Sequence, residues 1–344
     1  MQPSRIAEFQ EEFPSLESYW RSAILFGRNT STYKFALARS LEDLASDGKT
    51  EASLEELAVP YSSHICEHLP EAPKQATGRP EKFIESCIAF NEGAIDEQEL
   101  IDTTVSNGFS YVLDAFHNVN GEELPVSFFE VSGRGKGRHV TVGDNLFSTL
   151  EIAPSIGDEA EARWDLVENA WETGVSSSLI SVSYDGESGT LLKPAEDGTR
   201  RKSLASARAA LNGYQKGKCF YCYAMIEIDG ENGCDVDHFF PHVLAPALQG
   251  VSIDGVWNLV LACRECNRAE KGKFARVPAI KYLKRLWKRN EFLISSHHPL
   301  REAIMAQTGA TEKDRRAFLA HVDYVAVNAL IHRWITPARG AATF

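Results

Sequence analysis

Apolar positions in the first 120 residues recur mostly at helical spacing. Ser15 to Phe26 and Ser31 to Leu44 carry them every three or four residues. In the second stretch Tyr33, Leu37, Leu41 and Leu44 form one stripe, with Ser31 or Thr32 placed to cap the helix. Residues 52–68, 80–90 and 97–105 predict further helices. The pattern changes over 108–150. FSYVLDAF, PVSFFEV and RHVTV are short, aromatic and β-branched, and Asn-Gly and Gly-rich turns bound them, so they read as strands. A helix returns over Glu159 to Thr173, and SLISVSYD and TLLK read as a hairpin across Gly186 and Gly189. In AIKYLKRLWKRN, Ile280, Leu283 and Leu286 or Trp287 repeat at helical spacing. Lys281, Lys284, Arg285 and Lys288 then fall largely on another face.

These elements predict an α+β protein in three parts. Residues 1–195 form a mostly helical domain with short strands at about 108–142 and 178–193. Residues 200–278 form a small module, and 279–344 are helices of which the first is basic. The polar stretch PAEDGTRRK is the clearest boundary. A chain of 344 residues has room for this many units. The charge divides the same way. Residues 1–200 hold 15 Lys and Arg against 35 Asp and Glu, a net −20, whereas 201–344 hold 21 against 13, a net +8. A basic part attracts a polyanion that an acidic part repels. The N-terminus lacks the basic flank and apolar run of a signal peptide, and no stretch approaches the roughly 20 apolar residues of a membrane span. These absences predict a cytoplasmic protein with no membrane partner, where the seven cysteines stay reduced and favour metal over disulfides.

Four of the cysteines make two pairs, Cys219-Phe-Tyr-Cys222 and Cys263-Arg-Glu-Cys266. Each turn can place two thiolates on one tetrahedral ion, and two such turns complete a zinc shell. A redox dithiol is the rival reading, but the gap between the pairs holds a histidine-bearing loop. In it stand Asp235-Val-Asp237-His238-Phe-Phe-Pro241-His242 and Trp257-Asn258-Leu259-Val260, and after the second pair Asn267-Arg-Ala-Glu-Lys271-Gly272. This order over about residues 215–275 resembles the HNH endonuclease family. The family pattern has Asp-His on a strand, a middle Asn, and a final His or Asn directly after the second CxxC, with Lys-Gly shortly beyond. Asn267 stands where many members have His.

The resemblance implies a ββα-metal nuclease module stapled by zinc on Cys219, Cys222, Cys263 and Cys266. It assigns catalytic roles to His238, Asp237, Asn258 and Asn267. His238, neutral near pH 7, can take a proton from the attacking water. Asp237 and Asn267 offer the hard oxygen ligands that suit Mg²⁺ or Mn²⁺, an ion that serves as Lewis acid and template. Asn258 braces the Asp237–His238 loop. The same resemblance implies products with 5′-phosphate and 3′-hydroxyl ends.

From Lys271 to Asn290 there are eight basic residues and no acidic one. Beside a nuclease site they predict a phosphate-holding surface of His242, Arg268, Lys271, Lys273, Lys281, Lys284, Arg285 and Lys288. Arg200, Arg201 and Lys202 make a weaker basic cluster. Such contacts position DNA without reading sequence. Gly133 to Arg138 lacks the strand–loop–helix setting of a phosphate loop and reads as a basic turn. His64 and His68 lack a convincing third ligand in the sequence, and Cys66, Cys87 and Cys234 read as small buried residues. The expectation is a metal-dependent DNA endonuclease, suited by its extra domain to restriction or anti-phage defence. The acidic domain would act through specificity, regulation or a protein partner. A non-catalytic zinc-ribbon binding module and an RNase on the same scaffold are the alternatives, and oligomeric state is not legible.

Overall fold

The computed structural model describes residues 14–25, 30–78, 81–119, 121–172, 183–188, 190–193, 202–228 and 233–344. It mixes helices with small sheets and divides into two compact units, 1–172 and 173–344. The division falls earlier than 195, and the C-terminal helices belong to the same unit as the cysteine pairs rather than to a third part. The PAEDGTR stretch lies outside the described residues. Among the described residues no helix is long and apolar enough to cross a membrane.

In unit 1, helices α1 (Leu16–Leu25) and α2 (Tyr33–Ser46) lead to strand β1 (Glu51–Ser53) and helix α3 (Leu54–His68). The start of α3 is set by a reciprocal cap: the Ser53 hydroxyl accepts from the Glu56 N–H at 3.1 Å, and the Glu56 carboxylate accepts from the Ser53 N–H at 2.9 Å. Helices α4 (Lys82–Asn91), α5 (Glu97–Thr103) and α6 (Val112–Ala115) follow, then the two-residue strands β2 (Asn118–Val119) and β3 (Glu122–Glu123). Strands β4 (Phe129–Ser132) and β5 (His139–Val142) join β1 in an antiparallel sheet ordered β1-β5-β4. Helices α7 (Asp144–Ile152) and α8 (Ile156–Glu172) complete the unit.

The segment FSYVLDAF is not a strand: Val112–Ala115 is a one-turn helix with turns on either side. Its buried residues Phe109, Leu113 and Phe116 join the core, with Phe109 against Tyr61 and Phe116 against Trp20. The runs around PVSFFEV and RHVTV are strands, joined by the Gly133–Arg138 turn. Gly133 there has φ +83°, and a Cβ on it would meet the Gly137 carbonyl oxygen at 2.1 Å, so only glycine fits.

Unit 2 opens with strands β6 (Ser183–Asp185), β7 (Thr190–Lys193) and β8 (Lys202–Ser206), an antiparallel sheet in that order. Helix α9 (Ala207–Gln215) leads to the first cysteine pair. Strand β9 (Asp235–His238) pairs antiparallel with β10 (Leu259–Ala262), and the one-turn helix α10 (Arg264–Asn267) carries the end of the second pair. The Gln215 side chain mimics a third strand: its Oε1 accepts from the Leu261 N–H at 2.8 Å and its amide donates to the Leu261 carbonyl at 2.9 Å. Strand β11 (Val277–Pro278), helices α11 (Ile280–Ser295), α12 (Arg301–Thr308) and α13 (Glu312–Leu330), and strand β12 (Arg333–Trp334) close the unit, with β11 and β12 parallel.

The buried stripe of α11 is Tyr282, Leu286, Arg289 and Leu293, while Ile280 is exposed. Charge misled the periodicity here. The Arg289 guanidinium is buried and donates to the carbonyls of Val256 and Trp257 at 3.2 and 3.0 Å, so an ionic residue occupies an inward position.

Candidate metal centre and histidine site

The turn after α9 and the entry to α10 bring the two cysteine pairs together. Sulfur atoms of Cys219, Cys222, Cys263 and Cys266 all lie within 4.8 Å of one another, and Cys222 Sγ is 3.8 Å from Cys263 Sγ. A tetrahedron of Zn–S bonds near 2.3 Å separates its sulfurs by about 3.8 Å. The four residues therefore fit a zinc ion. The close sulfurs couple to one another: hydrogen bonds among them lower the pKa of Cys222 and Cys263 and raise that of Cys219 and Cys266. The Arg339 guanidinium donates to Cys263 Sγ at 3.0 Å, and its backbone N–H donates to the Cys222 carbonyl at 2.7 Å. A four-thiolate zinc shell carries a net negative charge, and Arg339 is a cation placed to offset it.

Strand β9 alternates: Asp235 and Asp237 are buried, Val236 and His238 half-buried. Asp237 points into the protein. Its Oδ2 accepts from the Tyr221 hydroxyl at 2.6 Å, and its Oδ1 lies 3.1 Å from Lys273 Nζ. Burial raises its pKa, and Lys273 opposes that rise. Lys273 is fully buried and also donates to the carbonyls of His238 and Phe274 at 2.9 and 3.2 Å. Asn267 gives its side-chain N–H to Asp235 at 3.0 Å, and Arg268 clasps the same carboxylate with two nitrogens. The pair Asp237 and Asn267 fits a hard divalent cation poorly in this arrangement. One carboxylate is closed by Tyr221 and Lys273, and the asparagine is turned to a different aspartate.

His238 is placed otherwise. Its Nε2 lies 2.9 Å from Asp254 Oδ1, and Nδ1 has no protein partner among the described residues. Burial lowers its pKa while Asp254 raises it, and the net shift is downward, toward the neutral ring. His242 Nε2 lies 3.7 Å from the same Asp254 oxygen and is well exposed. Asn258 is wholly buried. Its amide donates to the Phe240 and Ile253 carbonyls at 2.9 and 2.8 Å, and its Oδ1 accepts from the Phe240 N–H at 2.8 Å. It thereby ties the residues after His238 to the loop that carries Asp254.

The basic residues separate into two sets. Lys271, Lys281, Lys284 and Lys288 are exposed, as are His242 and Arg268. Lys273 is buried against Asp237 and is not a surface for phosphate. Arg285 turns inward: its guanidinium sits 4.0 Å over the Tyr223 ring and donates to the Phe220 and Tyr221 carbonyls. Arg200 and Arg201 lie outside the described residues. Sequence reasoning missed Asp254, Tyr221 and Arg339. Asp254 precedes a glycine and looks like a turn residue. Tyr221 looks like filler between cysteines, and Arg339 is remote in sequence from the shell it touches.

Unit 1 holds a second cluster. His68, Asp165 and Glu168 place ligand-type atoms within 4.8 Å of one another. His64 does not join it and pairs with Asp43 at 2.7 Å instead. Both ring nitrogens of His68 are held, by Glu161 at 2.7 Å and Glu168 at 2.9 Å. Burial lowers the His68 pKa, but these bonds outweigh it and raise it to about 10. With both ring nitrogens facing carboxylates, His68 is placed as their partner in this arrangement. Cys66, Cys87 and Cys234 are buried and lie apart from the four-cysteine shell. The chain matches no protein-family model, no curated protein and no solved structure.

Proposed function

We propose that unit 2 is a zinc-stapled endonuclease of the HNH type that hydrolyses DNA phosphodiesters. One observation supports this reading: His238, at the end of β9, is hydrogen-bonded through Nε2 to Asp254 and has no partner at Nδ1 among the described residues, in the same unit as the four clustered cysteines. A neutral imidazole with one committed and one open nitrogen is equipped to be a general base. In the proposed reaction a water oxygen attacks phosphorus while its proton passes to His238 Nδ1. The bond from phosphorus to the 3′ oxygen breaks, and that oxygen leaves with a proton from solvent. Exposed Lys271, Lys281, Lys284 and Lys288 supply cations that hold the phosphate backbone. A divalent ion on Asp237 and Asn267 rests on the family resemblance alone, and no step is routed through it.

A second reading, a non-catalytic zinc-ribbon module that only binds nucleic acid, draws on the closed Asp237–Lys273 pair. The test is a panel of supercoiled plasmid, single-stranded DNA and RNA, each with Mg²⁺, Mn²⁺ or EDTA. Endonuclease function predicts nicked or linear plasmid. Binding without product on every substrate supports the second reading, and cleavage of RNA alone transfers the activity to RNA.

A further inference from the structure

An aspartate before a glycine commonly serves its own turn, its carboxylate capping nearby backbone N–H groups. Asp254 does not. Among the described residues its carboxylate makes no bond to backbone; its partners are Nε2 of His238 at 2.9 Å and Nε2 of His242 at 3.7 Å.

The loop that carries it is fixed from several sides. The Asp254 carbonyl accepts from the Tyr184 N–H of β6 at 3.0 Å. The preceding Ile253 carbonyl accepts from Asn258 at 2.8 Å, and the Ser252 carbonyl from the Trp257 ring N–H at 3.0 Å. A side chain on backbone held this way has a small set of positions open to it, which is the condition for orienting a second group.

We infer that Asp254 is a positioning residue: it fixes the ring and the tautomer of His238 so that the open nitrogen is Nδ1, and it reaches His242 with the same oxygen. The inference rests on the reading of His238 as the general base. An ionised carboxylate only accepts, so the proton it faces must sit on Nε2, and the lone pair is left on Nδ1. Without Asp254 the imidazole is free to turn and to carry its proton on Nδ1, where the proton of the attacking water has to go. Asp254 touches no reacting atom in this scheme, so its loss acts on turnover and not on substrate affinity.

Two measurements on the full-length, zinc-loaded protein test this. The first is ¹⁵N NMR of histidine-labelled wild type and Asp254→Ala. The wild-type His238 ring should show a protonated Nε2 and a bare Nδ1, and the variant should show mixed tautomers. The second is plasmid cleavage. Asp254→Ala should lower kcat about 10- to 100-fold with KM within about twofold, and Asp254→Asn, which retains an oxygen acceptor, should fall between it and wild type. Zinc content and melting temperature of each variant separate a positioning effect from misfolding. An unchanged tautomer in Asp254→Ala overturns the inference, and so does a kcat equal to wild type. If no substrate is cut by wild type but the tautomer shifts in the variant, the positioning role stands and the nuclease reading falls.

Discussion

Asn258 shows how much a single buried amide can organise. It joins Phe240, two residues after His238, to Ile253, directly before Asp254, through three side-chain hydrogen bonds. Truncating it leaves two carbonyls and one N–H without partners in a site closed to water. Each such group costs about 1–3 kcal/mol, so Asn258→Ala should lose about 3 kcal/mol or more of stability by chemical denaturation, and Asn258→Asp, which retains only the acceptor, should also be destabilised. A loss below about 0.5 kcal/mol would remove the brace from the account. A brace at Asn258 is what the HNH resemblance implies. The destinations of Lys273, Arg285 and Arg289 were not legible in the sequence, because charge is a guide to exposure only where no inward partner exists. Lys273 finds Asp237, Arg285 the Tyr223 ring and backbone carbonyls, and Arg289 two carbonyls of the Trp257 turn. None of these partners is near in sequence.

At the scale of elements, spacing was a better guide than residue type. FSYVLDAF was given to a strand for its aromatic and β-branched content, yet it forms a one-turn helix between turns. The helices at 33–46 and 54–68 and the β6–β7 hairpin were legible from stripe and turn, but the cap expected at Ser31 or Thr32 is not made: Thr32 is helical and its hydroxyl donates to the Gln75 side chain. Strand β1 and the third strand β8 were not, because a three-residue strand and one at the edge of a polar segment leave no periodic trace. The cysteine pairs carry their own information: two CxxC turns specify a shell whatever lies between them. The shell should hold one zinc per chain, since its sulfurs are already at zinc spacing. Metal binding of this kind supplies about 10 kcal/mol or more of folding free energy in small zinc domains. Cys263→Ser should therefore lose zinc on metal analysis and unfold the second unit, seen as lost near-UV dichroism. A zinc-free Cys263→Ser protein with native dichroism would show that the four sulfurs do not staple the unit.

For the molecule as a whole, the acidic and basic parts build different polar contacts. Unit 1 is helical and acidic, and builds its buried polar contacts from carboxylates: Arg21 with Glu159 at 2.7 Å, and His68 between Glu161 and Glu168. Unit 2 holds the four-cysteine shell, the His238–Asp254 pair and the exposed lysines of α11. The sequence showed the charge boundary but not the structural one, because the segment that looked most like a linker is not where the two units part. The C-terminal helices read as a third part, yet α11 lays Tyr282, Leu286 and Arg289 into the core of the cysteine-bearing unit. In the proposed function this unit cuts DNA with His238 as its base. The most direct measurement compares full-length wild type and His238→Ala on supercoiled plasmid, with zinc content and DNA affinity recorded for both. The expected result is a fall in cleavage rate of about 10²- to 10⁴-fold, with affinity within about twofold and one zinc retained. Cleavage by folded His238→Ala at the wild-type rate would contradict it.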